Sequence, residues 1–261
     1  MAAPFLARYG PWAVVTGASS GIGRAFAEAL AARGLALVLV ARRADALRDV
    51  ADGLGVETHV LPADLGTEVG VAAVLDATAG LDVGLLVASA GFGTSGPFLA
   101  SDLADELDML AVNVGAVVRL THAVGRRLVA RGRGGVVLLG SLVGFQGTPF
   151  AAHYAATKAY VQALGEALHV ELAPQGVDVV VSAPGPVHSG FADRADMRMG
   201  AALAPAAMVG PTLAGLGRVQ TVRPGLLTKG LAAALAPLPR WAKVRVMGRV
   251  MGGMTDHQVP A

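Results

Sequence analysis

The chain has 261 residues with a formal net charge of +2, and 54% of them are hydrophobic. This length suits one α/β domain with a large buried core. The chain holds no cysteine, which excludes disulfides and thiolate metal ligands, and its six histidines lack the paired spacing of a metal site. We therefore expect no bound metal.

Hydropathy and charge patterns argue against membrane-spanning and nucleic-acid-binding classes. The longest uncharged runs, 134–157 and 199–217, are interrupted by polar residues, proline or glycine, whereas a membrane span needs about 20 unbroken apolar residues. The first ten residues, MAAPFLARYG, do not have the form of a signal peptide. Residues 197–255 carry eight basic and no acidic side chains, but without a recognisable nucleic-acid-binding module. We expect a cytoplasmic protein with no transmembrane segment and no nucleic-acid partner.

Short Val- and Leu-rich runs alternate along the chain with longer amphipathic stretches, a pattern typical of repeated βαβ units. Strands are predicted at 12–17, 35–40, 56–61, 83–88, 134–139, 177–182 and 218–222. Helices are predicted at 22–33, 44–52, 67–79, 102–130 and 152–173. The sequence therefore predicts a doubly wound α/β fold with about seven parallel strands and helices on both faces. No repeat, linker or boundary is visible, so residues 1–261 are read as a single domain.

The first predicted strand leads into TGASSGIG at 16–23, which contains Gly17, Gly21 and Gly23. Glycines between a strand and a helix let a pyrophosphate approach the backbone N–H groups at the helix N-terminus. The alternative is a tight turn that needs glycine for its backbone alone. The position after the first strand favours a dinucleotide-binding turn.

The second predicted strand ends in VLVARRAD, which bears on the choice of dinucleotide. Ala41 stands roughly where chains that bind NAD carry an acidic residue, and Arg42 and Arg43 follow it. Guanidinium groups bind a 2′-phosphate through charge-assisted contacts. We therefore predict NADP as the cofactor. The alternative is that arginine is simply the usual cation of this chain, which has eighteen arginines and three lysines.

Tyr154 and Lys158 lie four residues apart, so they share one face of the predicted helix at 152–173. An ammonium close to a phenol stabilises the phenolate and lowers the phenol pKa from its reference value near 10. Such a phenol can protonate a carbonyl oxygen while a hydride reaches the carbon. Ser141 follows the fifth predicted strand and could hydrogen-bond the same oxygen. A helix cap or a turn is the alternative role for Ser141.

These motifs, in this order, resemble those of the short-chain dehydrogenase/reductase family over almost the full chain. The resemblance implies a Rossmann-type fold and a catalytic set of Asn113, Ser141, Tyr154 and Lys158. In that family the Tyr exchanges the proton, the Lys holds the nicotinamide ribose and lowers the Tyr pKa, the Ser orients the carbonyl, and the Asn supports a water relay to the Lys. The resemblance also suggests a homodimer or homotetramer.

The remaining cofactor contacts are predicted from the same motifs, including ADL at 63–65 and PGPVHS at 184–189. Together with Tyr154 and Lys158, the predicted cofactor-binding residues are Gly17, Ser19, Ser20, Gly21, Ile22, Gly23, Arg42, Arg43, Asp64, Leu65, Ala90, Gly91, Pro184, Gly185, Val187 and Ser189.

Three motifs depart from the family pattern. The usual NNAG after the fourth strand is ASAG, with Ala88 and Ser89 in place of two asparagines. Ser20 stands before the second motif glycine, where members that bind NADP often have a basic residue, so the prediction of NADP depends mainly on Arg42. Ser189 replaces the common threonine and keeps the hydroxyl.

Substrate specificity is expected from loops at the carboxyl ends of the strands, at 91–98, 142–153 and 185–208. Their apolar side chains favour an apolar substrate, although packing is the alternative role. These candidates are Phe92, Phe98, Phe145, Phe150, Phe191, Met197 and Met199. His153 is expected to be a bystander, because adjacent helix positions point about 100° apart.

The C-terminal tail, 218–261, is basic and apolar. Within 238–254, Trp241, Val244, Met247 and Met251 recur at helical spacing, opposed by basic side chains. This helix either packs its apolar face on the same domain or touches a membrane surface, a partner subunit or an anionic carrier.

The sequence therefore predicts an NADP(H)-dependent oxidoreductase that interconverts a carbonyl, either an apolar ketone or an aldehyde, and its alcohol. The alternative is a dinucleotide-binding sensor or scaffold protein of the same fold without turnover.

Overall fold

The computed structural model describes residues 2–258. Its strands are β1 (Trp12–Thr16), β2 (Ala36–Ala41), β3 (Thr58–Pro62), β4 (Val83–Ala88), β5 (Gly134–Leu139), β6 (Val177–Ser182) and β7 (Thr221–Val222). They form one parallel sheet in the order β3-β2-β1-β4-β5-β6-β7. The order reverses between β1 and β4, and open α/β sheets bind ligands at the carboxyl ends of the strands beside such a reversal.

The helices of the described residues cover both faces of this sheet. They are α1 (Ala2–Tyr9), α2 (Gly21–Ala31), α3 (Ala44–Asp52), α4 (Glu68–Ala77), α5 (Leu103–Leu110), α6 (Val117–Arg131), α7 (Ala152–Leu172), α8 (Phe191–Arg194), α9 (Pro205–Gly215), α10 (Leu226–Leu235) and α11 (Arg240–Thr255). Successive strand residues point to opposite faces. In β1, Val15 packs on the side of α2, α3 and α9, whereas Val14 packs on the side of α4, α6 and α7. The predicted doubly wound α/β fold is confirmed.

Most predicted elements agree with the structure to within two residues at their ends, and two differ more. The seventh strand is Thr221–Val222 rather than 218–222, because the amides of Arg218 and Val219 both donate to the Gly215 carbonyl in a turn that ends α9. The predicted helix 102–130 is interrupted by a π-helical turn at Ala111–Ala116, between α5 and α6. A π turn inserts one residue into the helical hydrogen-bond pattern, and such turns frequently mark functional sites.

Helices α1, α8, α9 and α10 have no counterpart in the prediction, and α1 is the one at the start of the chain. Its last residue, Tyr9, is buried and donates its hydroxyl hydrogen bond to Asp178 Oδ2 at 2.7 Å, which ties the helix to β6. The Arg131 guanidinium donates to the carbonyl of Gly10 just after the helix. A helix of eight residues is too short to show a clear helical repeat in the sequence. The residues that hold it in place, Asp178 and Arg131, lie far from it along the chain, so no local pattern indicates it.

The expectation of no membrane span is qualified by one helix. Residues 103–131, taken through the π turn, form a 29-residue helix that is long and apolar enough to cross a membrane by length and composition alone. In the structure this helix packs on β4 and β5, and Leu120, Val124 and Leu128 lie in the hydrophobic core. A core helix passes the same test, and we interpret this one as a core helix.

Candidate active site

A cavity of about 710 Å³ lies along the carboxyl ends of the strands, beside the reversal between β1 and β4. Nearly all predicted site residues line it, and Asn113 lies behind its wall. The lining residues among them are Gly17, Ser19, Ser20, Gly21, Ile22, Gly23, Arg42, Arg43, Asp64, Leu65, Ala90, Gly91, Ser141, Tyr154, Lys158, Pro184, Gly185, Val187 and Ser189.

The turn between β1 and α2 requires its glycines for conformation and for space. Gly17 and Gly21 have φ angles of +66° and +53°, in the left-handed region that favours glycine. A Cβ atom on Gly23 would lie 2.2 Å from the Gly17 carbonyl oxygen. The turn therefore keeps its backbone tight at the N-terminus of α2, where amide groups favour an anion such as a pyrophosphate.

Thr16, at the end of β1, is a site residue that the sequence did not single out. Its buried hydroxyl oxygen accepts hydrogen bonds from the amides of Ser89 and Ala90 at 3.0 and 2.9 Å. These bonds hold the strand end where ASAG replaces the usual NNAG. The backbone there is thus fixed without the two asparagines.

Arg42 and Arg43 lie at the end of β2, exposed at the edge of the cavity. Within residues 2–258, neither guanidinium has a carboxylate within 4.0 Å. Asp64 lies after β3 and accepts a hydrogen bond from the Gly66 amide at 2.9 Å, which turns the chain at that strand end. Arg42 and Arg43 therefore place two positive charges at the end of the cavity where we expect the adenosine of the cofactor.

Asn113 is fully buried in the π turn. Its side-chain oxygen accepts from the Phe92 amide at 3.0 Å, and its side-chain nitrogen donates to the Phe92 carbonyl at 2.8 Å and to Thr157 Oγ1 at 3.1 Å. Asn113 therefore joins the loop after β4 to helix α7. No direct hydrogen bond from Asn113 to Lys158 is present.

Ser141 follows β5 and is buried at the cavity wall. Its hydroxyl oxygen also accepts a long hydrogen bond, 3.4 Å, from the Val143 amide at the start of the short 3₁₀ turn Leu142–Phe145. The capping role and the position in the site are thus combined in one side chain.

Tyr154 and Lys158 lie one turn apart on α7, facing the cavity. The Lys158 ammonium donates to the Leu139 carbonyl at 2.9 Å and lies 5.8 Å from the centroid of the Tyr154 ring. On its other side, the Tyr154 ring packs against Phe191 with 5.0 Å between centroids. The phenol is therefore held between the sheet end and helix α8.

Burial dominates the titration of both groups. It raises the pKa of Tyr154 to about 12, while the Ser141 hydroxyl, as a hydrogen-bond partner of the phenol, acts in the opposite direction. Burial lowers the pKa of Lys158 to about 8. The expectation that Lys158 lowers the pKa of Tyr154 is wrong for this structure, because desolvation prevails and the ammonium is bonded to a backbone carbonyl.

The segment 184–189 closes the site from the side of β6. The Leu142 amide donates to the Pro184 carbonyl at 2.9 Å, and the Gly185 amide donates to Thr228 Oγ1 in α10 at 3.0 Å. A Cβ atom on Gly21 would lie 2.8 Å from Ser189 Cβ, so this segment packs directly on the glycine-rich turn. The two predicted halves of a dinucleotide site therefore meet.

The predicted substrate loops contribute unequally. Phe92, Phe191, Met197 and Met199 line the cavity. The other three candidates do not: Phe98 packs edge-on against His153, Phe145 lies under the Arg223 guanidinium, and Phe150 lies against Gly252. Those three rings therefore make their contacts outside the cavity.

The C-terminal tail forms a wall of the cavity, which the sequence did not predict. Helices α10 and α11 and the connection between them contribute an apolar set that comprises Leu231, Ala234, Leu235, Leu238, Val246, Met247, Val250, Met251 and Met254. Met247 and Met251 are only 6% and 4% exposed, whereas Trp241 is 63% exposed and does not share their buried face. The tail thus packs on its own domain, with Trp241 left out of the expected apolar stripe. Residues 259–261 of the tail lie outside the described residues.

His153 lies outside this cavity. Its Nδ1 atom is 2.7 Å from Oε2 of the buried Glu106. This pair anchors the start of α7 to α5, and His153 does not contact the reacting groups.

Comparison with known proteins identifies the family. Residues 11–199 match the family model for short chain dehydrogenase. The chain therefore belongs to the short-chain dehydrogenase/reductase family, a family of oxidoreductases, as its motifs predicted.

Two curated relatives illustrate the range of the family around this chain. A very-long-chain 3-oxoacyl-CoA reductase-like protein of Arabidopsis thaliana is 38% identical over 189 residues, which are 69% of this chain and 60% of that protein. A 7beta-hydroxysteroid dehydrogenase of Clostridium sardiniense is 36% identical over 185 residues, which are 69% of this chain and 71% of that protein.

Solved structures match over more of the chain. A 7beta-hydroxysteroid dehydrogenase has a TM-score of 0.85 at 29% identity, covering 93% of this chain and 98% of its own. A short-chain dehydrogenase from Sphingobium yanoikuyae in complex with NADPH has a TM-score of 0.78 at 33% identity, covering 89% of this chain and 97% of its own.

Proposed function

We propose that this protein is an NADP(H)-dependent oxidoreductase that interconverts a bulky apolar ketone and its alcohol. The observation that supports it most directly is that Ser141, Tyr154 and Lys158 line one cavity that also has a large apolar wall. A hydroxyl, a phenol and an ammonium at a dinucleotide-binding turn have the chemistry that carbonyl reduction requires.

The residues around the glycine-rich turn fit a dinucleotide. The tight backbone at Gly17, Gly21 and Gly23 would hold the pyrophosphate, and the segment 184–189 would lie beside the nicotinamide. Bound there, NADPH would supply the hydride that adds to the carbonyl carbon.

Proton transfer is the part of the reaction that we assign to this chain. Tyr154, with its pKa raised to about 12, stays protonated at neutral pH and would donate its proton to the substrate oxygen. Ser141 would donate a hydrogen bond to the same oxygen and orient it. Lys158 would place positive charge near the developing phenolate. Asn113 would keep the loop that contains Phe92 bonded to α7 through Thr157.

Cofactor preference is proposed from charge. Arg42 and Arg43 have no carboxylate partner among residues 2–258, and Ala41 carries no acid that would repel a 2′-phosphate. The similar structure from Sphingobium yanoikuyae was solved with NADPH. Both observations favour NADP over NAD.

Substrate class is proposed from the cavity wall and from the relatives. Met247, Met251 and Phe191 provide flexible and aromatic apolar surface in the cavity that Tyr154 also lines. Two relatives are named for hydroxysteroids and for very-long-chain 3-oxoacyl-CoA, molecules that each contain a large apolar body. We therefore propose a ketone with a large hydrophobic body.

The test is NADPH oxidation measured across a panel of steroid ketones, long-chain 3-oxoacyl thioesters, aryl ketones and small aldehydes, repeated with NADH. We expect bulky ketones to be reduced with NADPH preferred. A protein that binds NADPH but reduces none of the panel would instead support the non-catalytic sensor or scaffold. The retained catalytic set disfavours that alternative, because a protein without chemistry has no physical need for all of it.

The cytoplasmic location and the homodimeric or homotetrameric state stay predictions, as does contact of the basic tail with a membrane surface. Trp241 and Leu226 leave apolar surface exposed on α11 and α10, which is the feature such a contact would use.

A further inference from the structure

The substrate side of the cavity contains one charged group among the described lining residues. Five charged side chains line the whole cavity: Arg42, Arg43, Asp64, Lys158 and Arg194. Three of them lie at the ends of β2 and β3, and Lys158 belongs to the catalytic set. Arg194 lies on α8, which lines the cavity together with the apolar residues of α10 and α11.

Helix α8 connects Arg194 to the reacting centre. Phe191 and Arg194 lie three residues apart and therefore on the same face of this helix. The Phe191 ring packs on Tyr154 with 5.0 Å between centroids, and the Arg194 guanidinium carbon lies 3.9 Å from the centroid of the Phe92 ring. Asn113 fixes Phe92 through two backbone hydrogen bonds. The guanidinium is therefore held on a rigid aromatic platform at the cavity.

The Arg194 charge has no protein partner within residues 2–258. No carboxylate lies within 4.0 Å of its guanidinium, and its side chain donates no hydrogen bond there. The neighbouring Asp196 instead pairs with His257 at 3.2 Å. Stacking over a ring occupies the face of a guanidinium and leaves its N–H edge available, and that edge matches a carboxylate in a bidentate arrangement.

We infer that Arg194 binds a carboxylate carried by the substrate, so that the preferred substrate is an amphiphilic oxo acid with a large apolar body. This inference rests on the proposed function, since it names the substrate class of the same cavity. The apolar wall would take the body, Tyr154 would face the carbonyl, and Arg194 would hold the acidic group at the exposed mouth. A neutral ketone of the same size would lack that contact.

The test measures binding without turnover, by titration calorimetry on the full chain saturated with NADP⁺. The probes are decanoate, decan-1-ol and free coenzyme A. The variants are Arg194→Gln, Arg194→Lys and a matched control, Arg198→Gln, whose side chain is exposed, does not line the cavity and lies 3.5 Å from Asp256.

We expect decanoate to bind the parent more tightly than decan-1-ol and to lose roughly tenfold in affinity in Arg194→Gln, as for a partly exposed charge-assisted contact. Decan-1-ol affinity should not change in any variant, Arg194→Lys should be intermediate, and Arg198→Gln should match the parent. Higher salt should weaken only the decanoate contact.

Four results would overturn the inference. Decanoate could fail to bind the parent, or its affinity could be the same in Arg194→Gln. Coenzyme A binding could depend on Arg194 while decanoate binding does not, which would assign the guanidinium to a phosphate-bearing carrier. NADPH affinity could fall with Arg194→Gln, which would make this residue a cofactor ligand. Because the test measures no turnover, it separates the two proposals. Selective decanoate binding would support the role of Arg194 even if the protein reduced no carbonyl, and carbonyl reduction would support the proposed function even if decanoate did not bind.

Discussion

The Lys158 ammonium lies 5.8 Å from the centroid of the Tyr154 ring and donates its hydrogen bond to the Leu139 carbonyl instead of the phenol oxygen. The two side chains thus share a helix face and a cavity wall without a direct contact between their polar atoms. Their pKa values accordingly move apart, that of Tyr154 upward to about 12 and that of Lys158 downward to about 8, both through burial. The structure therefore places a phenol that stays protonated at neutral pH beside an ammonium whose pKa is about 8.

The first prediction concerns the pH dependence of carbonyl reduction. Tyr154 holds its proton throughout the range below about 12, whereas Lys158 loses its charge as the pH rises through about 8. If reduction needs the ammonium, kcat should be level at neutral pH and fall tenfold per pH unit above about 8. A pH–rate profile with saturating NADPH checks this, and a profile that stays level to pH 10 would contradict the assignment. In Lys158→Met, the residual activity should show no limb near pH 8.

The second prediction concerns stability. Lys158 binds its proton in both folded and unfolded chains below about pH 8, but only the unfolded chain keeps it between about 8 and 10.5. The free energy of unfolding therefore rises with pH across that window, and burial of the charge is destabilising below it. Lys158→Met should be more stable than the parent at pH 7 by about 1–3 kcal/mol.

Urea denaturation of both proteins at pH 7 and pH 10 provides the measurement. The difference between them should narrow at pH 10, where the parent no longer buries a charge. A variant that is less stable at pH 7, or a difference independent of pH, would show that the Lys158 bond to Leu139 outweighs desolvation.

The third prediction concerns cofactor choice. Arg42→Ala should reduce the preference for NADPH over NADH by one to two powers of ten, because a charge-assisted contact contributes roughly 1.5–3 kcal/mol. The matched control is Arg48→Ala, since Arg48 is exposed, pairs with Asp45 and does not line the cavity. Titration calorimetry with both nucleotides measures the effect. Equal affinity of the parent for the two nucleotides would contradict the NADP assignment.

The fourth prediction concerns the cavity wall formed by the tail. Met251 is buried at that wall, so Met251→Ala should raise KM for the best ketone of the panel roughly tenfold and leave NADPH affinity unchanged. Trp241→Ala should leave KM unchanged, because Trp241 is largely exposed and does not line the cavity. Steady-state kinetics separate the two variants. If Met251→Ala and Trp241→Ala changed KM equally, or if neither changed it, α11 would not form part of the substrate site.

The sequence predicted the sheet, and the position of Tyr154 and Lys158 on one helix, because these signals are local. Buried parallel strands appear as short Val- and Leu-rich runs, and Tyr154 and Lys158 lie within one helical turn. The wall built by Met247 and Met251 could not be predicted, because their spacing is the same whether a helix covers a core or a ligand cavity. The pKa of Tyr154 depends on how the fold buries the phenol, which the sequence does not show. The role inferred for Arg194 depends on its stacking over Phe92, which lies about one hundred residues earlier in the chain.

The most direct test of the account is the turnover of Tyr154→Phe with NADPH and the best bulky ketone. The substitution removes one hydroxyl and keeps the ring that packs on Phe191. NADPH binding by calorimetry should therefore be nearly unchanged, while kcat falls by at least the roughly 10²–10⁴ that a positioned acid contributes. A Tyr154→Phe variant that turns over at the parent rate would contradict the assignment of Tyr154 as the proton donor.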